Sequence, residues 1–352
     1  MSTQRLFQSI LSSGFLTGLL MCSGCSIPAG HGVVEDRYVQ AENPVVDILF
    51  VIDNSTSMAV AQAQLSLAFP SMVSVLQALQ VDWQMGIIST DMTDPNQRGR
   101  LLSLNDVGTR LLTAATPDGV EAFQNALIMG TEGSQLERAF SAAWESMKPP
   151  IASHENLGFP RDSARLVMIV LSDEDDCSDE GALLAEGSAA CVAQTQLLVP
   201  VEDFLARFLS TRDRAVDLSF HAIIETGNQG EFSGCEGNSP GTRYMELVGL
   251  TGGSVHPICA DMNSSLEDIA LQAAGRRRAF PLTRLPDDFD LEVRVAAPAE
   301  PQGVEGNRVT MDRTEVDGWS YRADTNMVHF WGASVPPPGA QVILSYPVLV
   351  TY

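Results

Sequence analysis

The sequence predicts an α/β protein, a doubly wound and mostly parallel sheet flanked by helices, followed by a small C-terminal all-β appendage. Three observations carry that expectation. The runs Val45-Val46-Asp47-Ile48-Leu49-Phe50-Val51-Ile52 and Leu166-Val167-Met168-Ile169-Val170-Leu171 are almost continuously apolar, as strands covered on both faces are. Between such runs apolar residues recur at helical spacing, as in Leu65, Phe69, Met72, Leu76 and Leu79. Beyond Gly275-Arg276-Arg277-Arg278 that periodicity stops, and Pro-rich turns separate short β-type runs.

The elements follow in order. Residues 1–25 read as a signal peptide and 26–44 as a polar tether. Residues 45–275 form the α/β domain and 280–352 the β appendage. Val45 to Ile52 is the first strand, and the stripe from Leu65 to Leu79 is a helix that Pro70 should bend. Trp83 to Ser89 is a second strand, with Arg100 to Ser103 a short edge strand. Helices are expected over 118–129 and 134–147, and Leu166 to Leu171 is the strongest strand. A helix from Val201 to Leu209, a strand from Leu218 to Ile224, a helix from Thr242 to Leu250 and a strand from Ser254 to Ile258 complete the alternation. Ser265 and Asp268 make a capping pair for a helix reaching Ala274. In the appendage, Leu291 to Val295, Met327 to Trp331 and Gln341 to Tyr346 read as strands, with Gly318-Trp319 and Pro336-Pro337-Pro338-Gly339 as turns.

The chain has 352 residues, 45% of them hydrophobic, enough to bury a large core and too apolar for wholesale disorder. Its 44 acidic against 21 basic side chains give a formal charge of −23. That charge excludes nucleic acid as a partner, since phosphates would be repelled. It equally disfavours direct adhesion to an anionic membrane.

Arg5 precedes the apolar stretch Leu6 to Leu20, which is too short and too polar for a permanent span and reads as a secretory leader. Its exit, Leu19-Leu20-Met21-Cys22-Ser23-Gly24-Cys25-Ser26, resembles a bacterial lipobox, with Cys22 where such boxes usually carry Leu. The expectation is a lipid on Cys25 and an exported protein at the bacterial outer membrane or in the periplasm, touching membrane only through that anchor. Outside the leader stand Cys177, Cys191, Cys235 and Cys259. Four Cys in an exported chain read as two disulfides with three connectivities. Local pairing of Cys177 with Cys191 and of Cys235 with Cys259 is the simplest. Neither pair has the spacing of a zinc or redox motif.

The chemistry sits at strand ends. The first strand runs into Asp53-Asn54-Ser55-Thr56-Ser57, at the edge where open α/β sheets bind ligands. One carboxylate and two hydroxyls on a tight loop make an all-oxygen, low-charge site suited to Mg²⁺, Mn²⁺ or Ca²⁺. Gly130-Thr131-Glu132-Gly133-Ser134 offers a further hydroxyl, and Ser172-Asp173-Glu174-Asp175-Asp176-Cys177 a second carboxylate. Glu174, Asp175 and Asp176 individually read as a solvated acidic loop. The run is no EF-hand, because Ser178 and Leu184 stand where that loop requires Gly and Glu. Asp91 ends a strand on the same edge, with no role evident from sequence. His221 and His256 fall in strands, where packing is the expected role. No Gly-x-Ser-x-Gly elbow or phosphate-binding loop occurs.

Asp47 to Ser57, Thr131 and Asp173 resemble the von Willebrand factor type A domain with its metal-ion-dependent adhesion site. The likeness is to a bacterial exported branch. It extends to Gly86-Ile87-Ile88-Ser89-Thr90-Asp91, Asn156-Leu157-Gly158-Phe159-Pro160-Arg161, Leu171 to Ser178 and Leu250-Thr251-Gly252-Gly253, spanning about residues 45–275. The resemblance implies a Rossmann-like fold and a divalent metal, most readily Mg²⁺. Asp53, Ser55, Ser57 and Thr131 would hold it, with Ser134 the competitor for the Thr131 position and Asp173 acting directly or through water. It implies ligand binding without turnover, a carboxylate from a protein or peptide partner completing the coordination. A bridge from Cys177 to Cys191 would then pin the metal-site loop. The alternative from another class is a Mg²⁺-dependent α/β hydrolase, but Ser55 stands where such an enzyme wants its second Asp. A third reading is an interaction domain that needs no metal.

Overall fold

In a computed structural model the described residues are 29–40, 45–104, 108–183, 188–212, 217–227, 239–275, 279–287, 290–296, 313–314, 318–323, 326–331 and 334–351. The leader, Cys25, Cys235 and Arg276 to Arg278 lie outside them.

The α/β unit is a six-stranded sheet built from β2 (Val45–Ile52), β3 (Asp82–Ser89), β4 (Leu112–Thr113), β5 (Arg165–Ser172), β6 (Leu218–Ile224) and β7 (Val255–Pro257). The order is β4-β3-β2-β5-β6-β7, parallel except for β4 at the edge. The edge strand is therefore Leu112–Thr113, paired with Met85 and Gln84, and not the predicted Arg100 to Ser103. Leu102 N still donates to Ile87 O, so that segment runs beside β3 without forming a ladder.

Side chains alternate across β2 and so build two cores. Val46, Ile48, Phe50 and Ile52 pack with α1 (Ala59–Ala78), α2 (Gly119–Leu127) and α7 (Met262–Ala273), whereas Leu49 and Val51 pack with α3 (Ala139–Ser146), α5 (Val201–Leu209) and α6 (Thr242–Thr251). Both faces of β2 are buried, which is why its sequence shows no polar alternation. Phe50, Phe69 and Phe123 form an aromatic cluster on the first face, with ring centroids 4.6–6.0 Å apart. Helix α1 runs through Pro70, and the carbonyl left without its helical donor there, Ser66 O, accepts instead from Gln124 Nε2 at 2.7 Å.

The one charge inside β2 is Asp47, which is fully buried and held by Arg161 Nε at 2.8 Å and Gln84 Nε2 at 3.0 Å. The N-cap of α7 is Asp261, accepting from Ser264 N, four residues ahead of the predicted Ser265 pair. His221 is buried between Ser219 and Ser254, and burial holds its pKa well below the usual value.

The C-terminal unit comprises two antiparallel three-stranded sheets. One is β1 (Ala29–Val39), β12 (Gln341–Thr351) and β9 (Glu292–Ala296); the other is β10 (Trp319–Arg322), β11 (Met327–Phe330) and β8 (Ala279–Pro281). The residues read as a polar tether are therefore corrected in large part: 29–39 form a strand in register with 341–351. The physical reason is that Val34 and Tyr38 face the core while their inward neighbour Asp36 is buried on hydrogen bonds from Thr283 and Tyr346. The predicted turn at Gly318-Trp319 is the start of β10, and the short α4 (Ser188–Ala193) is an element the periodicity does not show.

Candidate functional site

Strand order reverses between β2 and β5, because the chain leaves β2 for β3 on one side and returns to β5 on the other. Asp53 follows β2 and Asp173 follows β5, so the two carboxylates flank the crevice such a reversal opens. Asp53 is fully buried. Its Oδ1 accepts from Ser55 N at 2.8 Å and its Oδ2 from Ser172 Oγ at 2.7 Å. Ser55 and Ser57 bring their Oγ atoms to 3.4 Å of each other, Ser55 buried and Ser57 exposed. Burial, with Asp173 adding repulsion, pushes the Asp53 carboxyl up to about 6.

A third loop, 128–138, is tied to this floor from both sides. Gln62 Nε2, in the first turns of α1, reaches Asp53 O at 2.8 Å and Gly130 O at 2.9 Å. Gly133 N donates to Asn54 O, and a Cβ at Gly133 would stand 2.2 Å from Asn54 Oδ1, so any other residue there would have to displace the Asn54 side chain. Thr131 lies half-buried on the loop. Ser134 turns its Oγ back to Leu136 N at 3.0 Å and gives its own N–H to Asp91 Oδ2. Asp91 thereby acquires a role: it gathers Thr93, Asp94 and Ser134 around one carboxylate, and these bonds hold its pKa below the usual value despite its burial.

The acidic run after β5 divides by function. Asp176 is not solvated, contrary to the sequence reading. It is fully buried, caps α3 through Phe140 N at 3.0 Å, and faces Arg243 Nη2 at 3.2 Å. Asp175 receives Arg243 N and the Thr242 hydroxyl. Cys177 is bridged to Cys191, with Cα atoms 5.5 Å apart, and donates its N–H to Glu137 O at 2.7 Å. Cys259 is also disulfide-bonded.

Sequence reasoning passed over Glu137, Thr90, Thr226 and Tyr244. Among the described residues, eight buried side-chain polar atoms at this edge lack a hydrogen-bond partner: Asn54 Oδ1, Gln62 Oε1, Thr90 Oγ1, both oxygens of Glu137, Asp173 Oδ1, Thr226 Oγ1 and Tyr244 OH. Each of β2, β3, β5 and β6 contributes one just past its carboxyl end. Burial, followed by repulsion from Asp53 and Glu174, pushes Glu137 up to about 10. The Tyr244 hydroxyl is pushed up by burial and by Asp176, Asp175, Asp53 and Glu137.

Buried polar groups are nearly always satisfied, so such a concentration marks a place for water or an ion. The donor set is all oxygen and net acidic, which fits a hard divalent cation and no thiolate- or imidazole-seeking metal. No three Asp, Glu, His or Cys side chains among the described residues converge as a ready-made cage. The arrangement therefore suits a cation shared among carboxylates, hydroxyls and water.

The fold and site thus define an α/β protein with an oxygen-rich strand-end centre. No family model and no curated protein matches the chain. Among solved structures it is similar to the pilus adhesin SpaC from Lactobacillus rhamnosus GG in an open conformation, at 12% identity and a TM-score of 0.44 over 91% of this chain and 41% of that one. It is also similar to proximal thread matrix protein 1 from the mussel byssus, at 11% identity and a TM-score of 0.38 over 67% and 49%. The chain spans about two fifths of the first protein's length and about half of the second's.

Proposed function

We propose that this chain is an exported binding protein of the bacterial cell envelope, with a von Willebrand factor type A domain that takes its ligand through a divalent cation. Asp53, Ser55, Ser57 and Asp173 would hold the ion together with a group from the loop 128–138, the loop on which the sequence resemblance points to Thr131. Mg²⁺, Mn²⁺ and Ca²⁺ all suit the donor set. The ion would supply an electrophilic centre, and a carboxylate of a protein or peptide partner would complete its coordination. The role is adhesion or scaffolding, without turnover. Export and attachment through a lipid on Cys25 belong to the same reading.

The observation that carries it is the ring of partnerless buried oxygens just past four successive strand ends. An enzyme built on the same edge would need a proton donor beside Asp53. The groups bonded to the Asp53 carboxylate are instead the Ser172 hydroxyl and the Ser55 backbone N–H.

Thermal unfolding of the protein in EDTA and then in Mg²⁺, Mn²⁺ or Ca²⁺ tests the proposal, with Asp53→Ala alongside. A cation that binds only the folded state at 100 times its Kd stabilises by about 2.7 kcal/mol. The wild type is expected to shift upward by a few degrees, about what such a stabilisation gives a domain of this size. Asp53→Ala is expected to fold and to lose the shift. No shift in the wild type, or an equal one in Asp53→Ala, would leave the metal-independent interaction domain as the surviving reading.

A further inference from the structure

We infer that two copies of this chain associate through β1, the open edge of that strand pairing antiparallel with the same edge of the second copy. The inference goes beyond the cation reading above and does not depend on it.

β1 runs for 11 residues in unbroken register with β12, without a bulge or a proline. Among the described residues β12 is the only strand paired with it, so β1 stands at an edge of its sheet. Gln40 N continues the ladder by donating to Ala340 O. Alternate residues of an antiparallel strand bond to opposite sides, so the even-numbered residues of β1 bond to β12. The N–H and C=O groups of Val33, Glu35, Arg37 and Val39 therefore point away from the sheet. Edge strands of this length are usually protected by a bulge, a proline or a lysine, and β1 has none of these. The side chains of the same four residues are exposed, Val33 at 79% and Val39 at 67%. No other strand among the described residues carries an exposed large apolar side chain.

The exposed row is self-complementary about Asp36. Antiparallel pairing centred there sets Val33 opposite Val39 of the second copy and Glu35 opposite Arg37, each twice by symmetry. Centring on Glu35 or on Arg37 instead sets like charges directly opposite each other, and wider shifts set the charges against valines. On the inward side the same register sets Val34 opposite Tyr38. Asp36 falls on the axis, but its carboxylate already accepts from Thr283 N, Thr283 Oγ1 and Tyr346 OH of its own chain. Within one chain Arg37 is paired with Glu35, which also meets Arg294 at 3.3 Å. Association exchanges the first contact for its cross-strand equivalent and leaves the second in place. A chain of formal charge −23 repels its copies over most of its surface. The row Val33, Glu35, Arg37 and Val39 brings no net charge to the contact, which makes a second copy the partner it fits.

The test is sedimentation equilibrium of the full-length protein in EDTA, in wild type, Val33→Lys, Glu35→Arg, Arg37→Glu, an equimolar mixture of the last two, and Leu157→Lys. Thermal unfolding accompanies it as the readout of the fold. One strand pairing is smaller than the about 1,600 Å² of a standard stable interface, so the wild type is expected to dimerise at about 10–100 μM. Val33→Lys and each charge variant alone are expected to weaken dimerisation at least tenfold. The mixture is expected to return to within threefold of wild type, because the two variants present opposite charges to each other at both positions. Leu157→Lys, at an exposed site on the α/β unit, is expected to stay within twofold. By hydrogen exchange the amides of Val33, Glu35, Arg37 and Val39 are expected to slow as protein concentration rises. A wild type that stays monomeric through this range overturns the inference. So does a dimer that Val33→Lys and Arg37→Glu leave within twofold, or a mixture that associates no better than its separate components. Should Glu35→Arg fail to fold, Val33→Lys and Arg37→Glu decide the matter by the same tenfold and twofold limits. A wild type that dimerises in EDTA but shows no cation-dependent unfolding shift would sink the cation reading and leave this one standing.

Discussion

Asp176 shows how a single side chain can mislead a sequence reading. In the run Ser172 to Cys177 four carboxylates stand in succession, and nothing in their order separates the one that faces the crevice from the one that builds it. Burial and partners make the distinction. Asp173 keeps a buried oxygen free, whereas every polar contact of Asp176 is internal, to Phe140 N, Ser178 and Arg243. The placing of Asp53, Ser55 and Ser57 together at a strand end was legible, because a carboxylate and two hydroxyls alternate on a strand-to-helix turn. Glu137 was not legible, since a lone Glu before an apolar helix reads as a first-turn acid. The contrast gives a residue-scale prediction. Asp176→Ala leaves Arg243 without its buried counter-charge and α3 without its N-terminal acceptor, so a loss of about 3–5 kcal/mol is expected. Urea unfolding checks it, and a loss under 1 kcal/mol would mean that Arg243 finds water instead.

At the scale of elements, the strands β2, β5 and β6 were readable because both faces of each are covered, which leaves runs with little polar punctuation. Ends were harder. Helix α3 begins at Ala139 and not at 134, because residues 134–138 are held in the loop by Asp91, Thr90 and Cys177. Those bonds join segments far apart in sequence, and local periodicity carries no trace of them. The Gly252-Gly253 turn between α6 and β7 was noticed as a motif, and its physics is now explicit. Gly252 closes the helix at φ +68°, in the left-handed region, while Gly253 passes so close to β6 that a Cβ would lie 1.8 Å from Phe220 O. The two glycines therefore differ in what they tolerate. Gly252→Ala meets open space and carries only the penalty of a left-handed L-residue, about 1–2 kcal/mol. Gly253→Ala must push β7 away from β6 and is expected to cost about 3 kcal/mol. Chemical unfolding of both variants tests the ranking, and equal losses would show that the turn shifts without cost.

For the whole molecule, the consequential contact is the one that links the two ends of the described chain. β1 lies along the full length of β12, and β12 in turn carries β9, so one of the two C-terminal sheets has its first strand from residues 29–39 and the others from 292–351. The segment hid from the sequence reading because its inward set is Val34, Asp36 and Tyr38. A buried acid in the middle broke the apolar alternation that marks a strand. That acid organises the unit, accepting from Thr283 N at 2.9 Å, Thr283 Oγ1 at 2.7 Å and Tyr346 OH at 2.7 Å, while Val34 and Tyr38 pack on the core of Phe280, Val328 and Phe330. The α/β unit draws on none of these groups, since its two cores lie between 46 and 274. A chain beginning at Val45 should therefore lose protection in 279–351 by hydrogen exchange while keeping it in β2, β5 and β6. The milder Asp36→Ala strands a buried tyrosine hydroxyl and a backbone N–H, which should cost about 1–3 kcal/mol per group, confined to the same region. The cation-dependent rise in unfolding midpoint, measured on the α/β transition, should survive both changes. Collapse of that shift in the shortened chain would mean that the β unit helps hold the strand-end site in shape, and the two units would then have to be treated as one functional body.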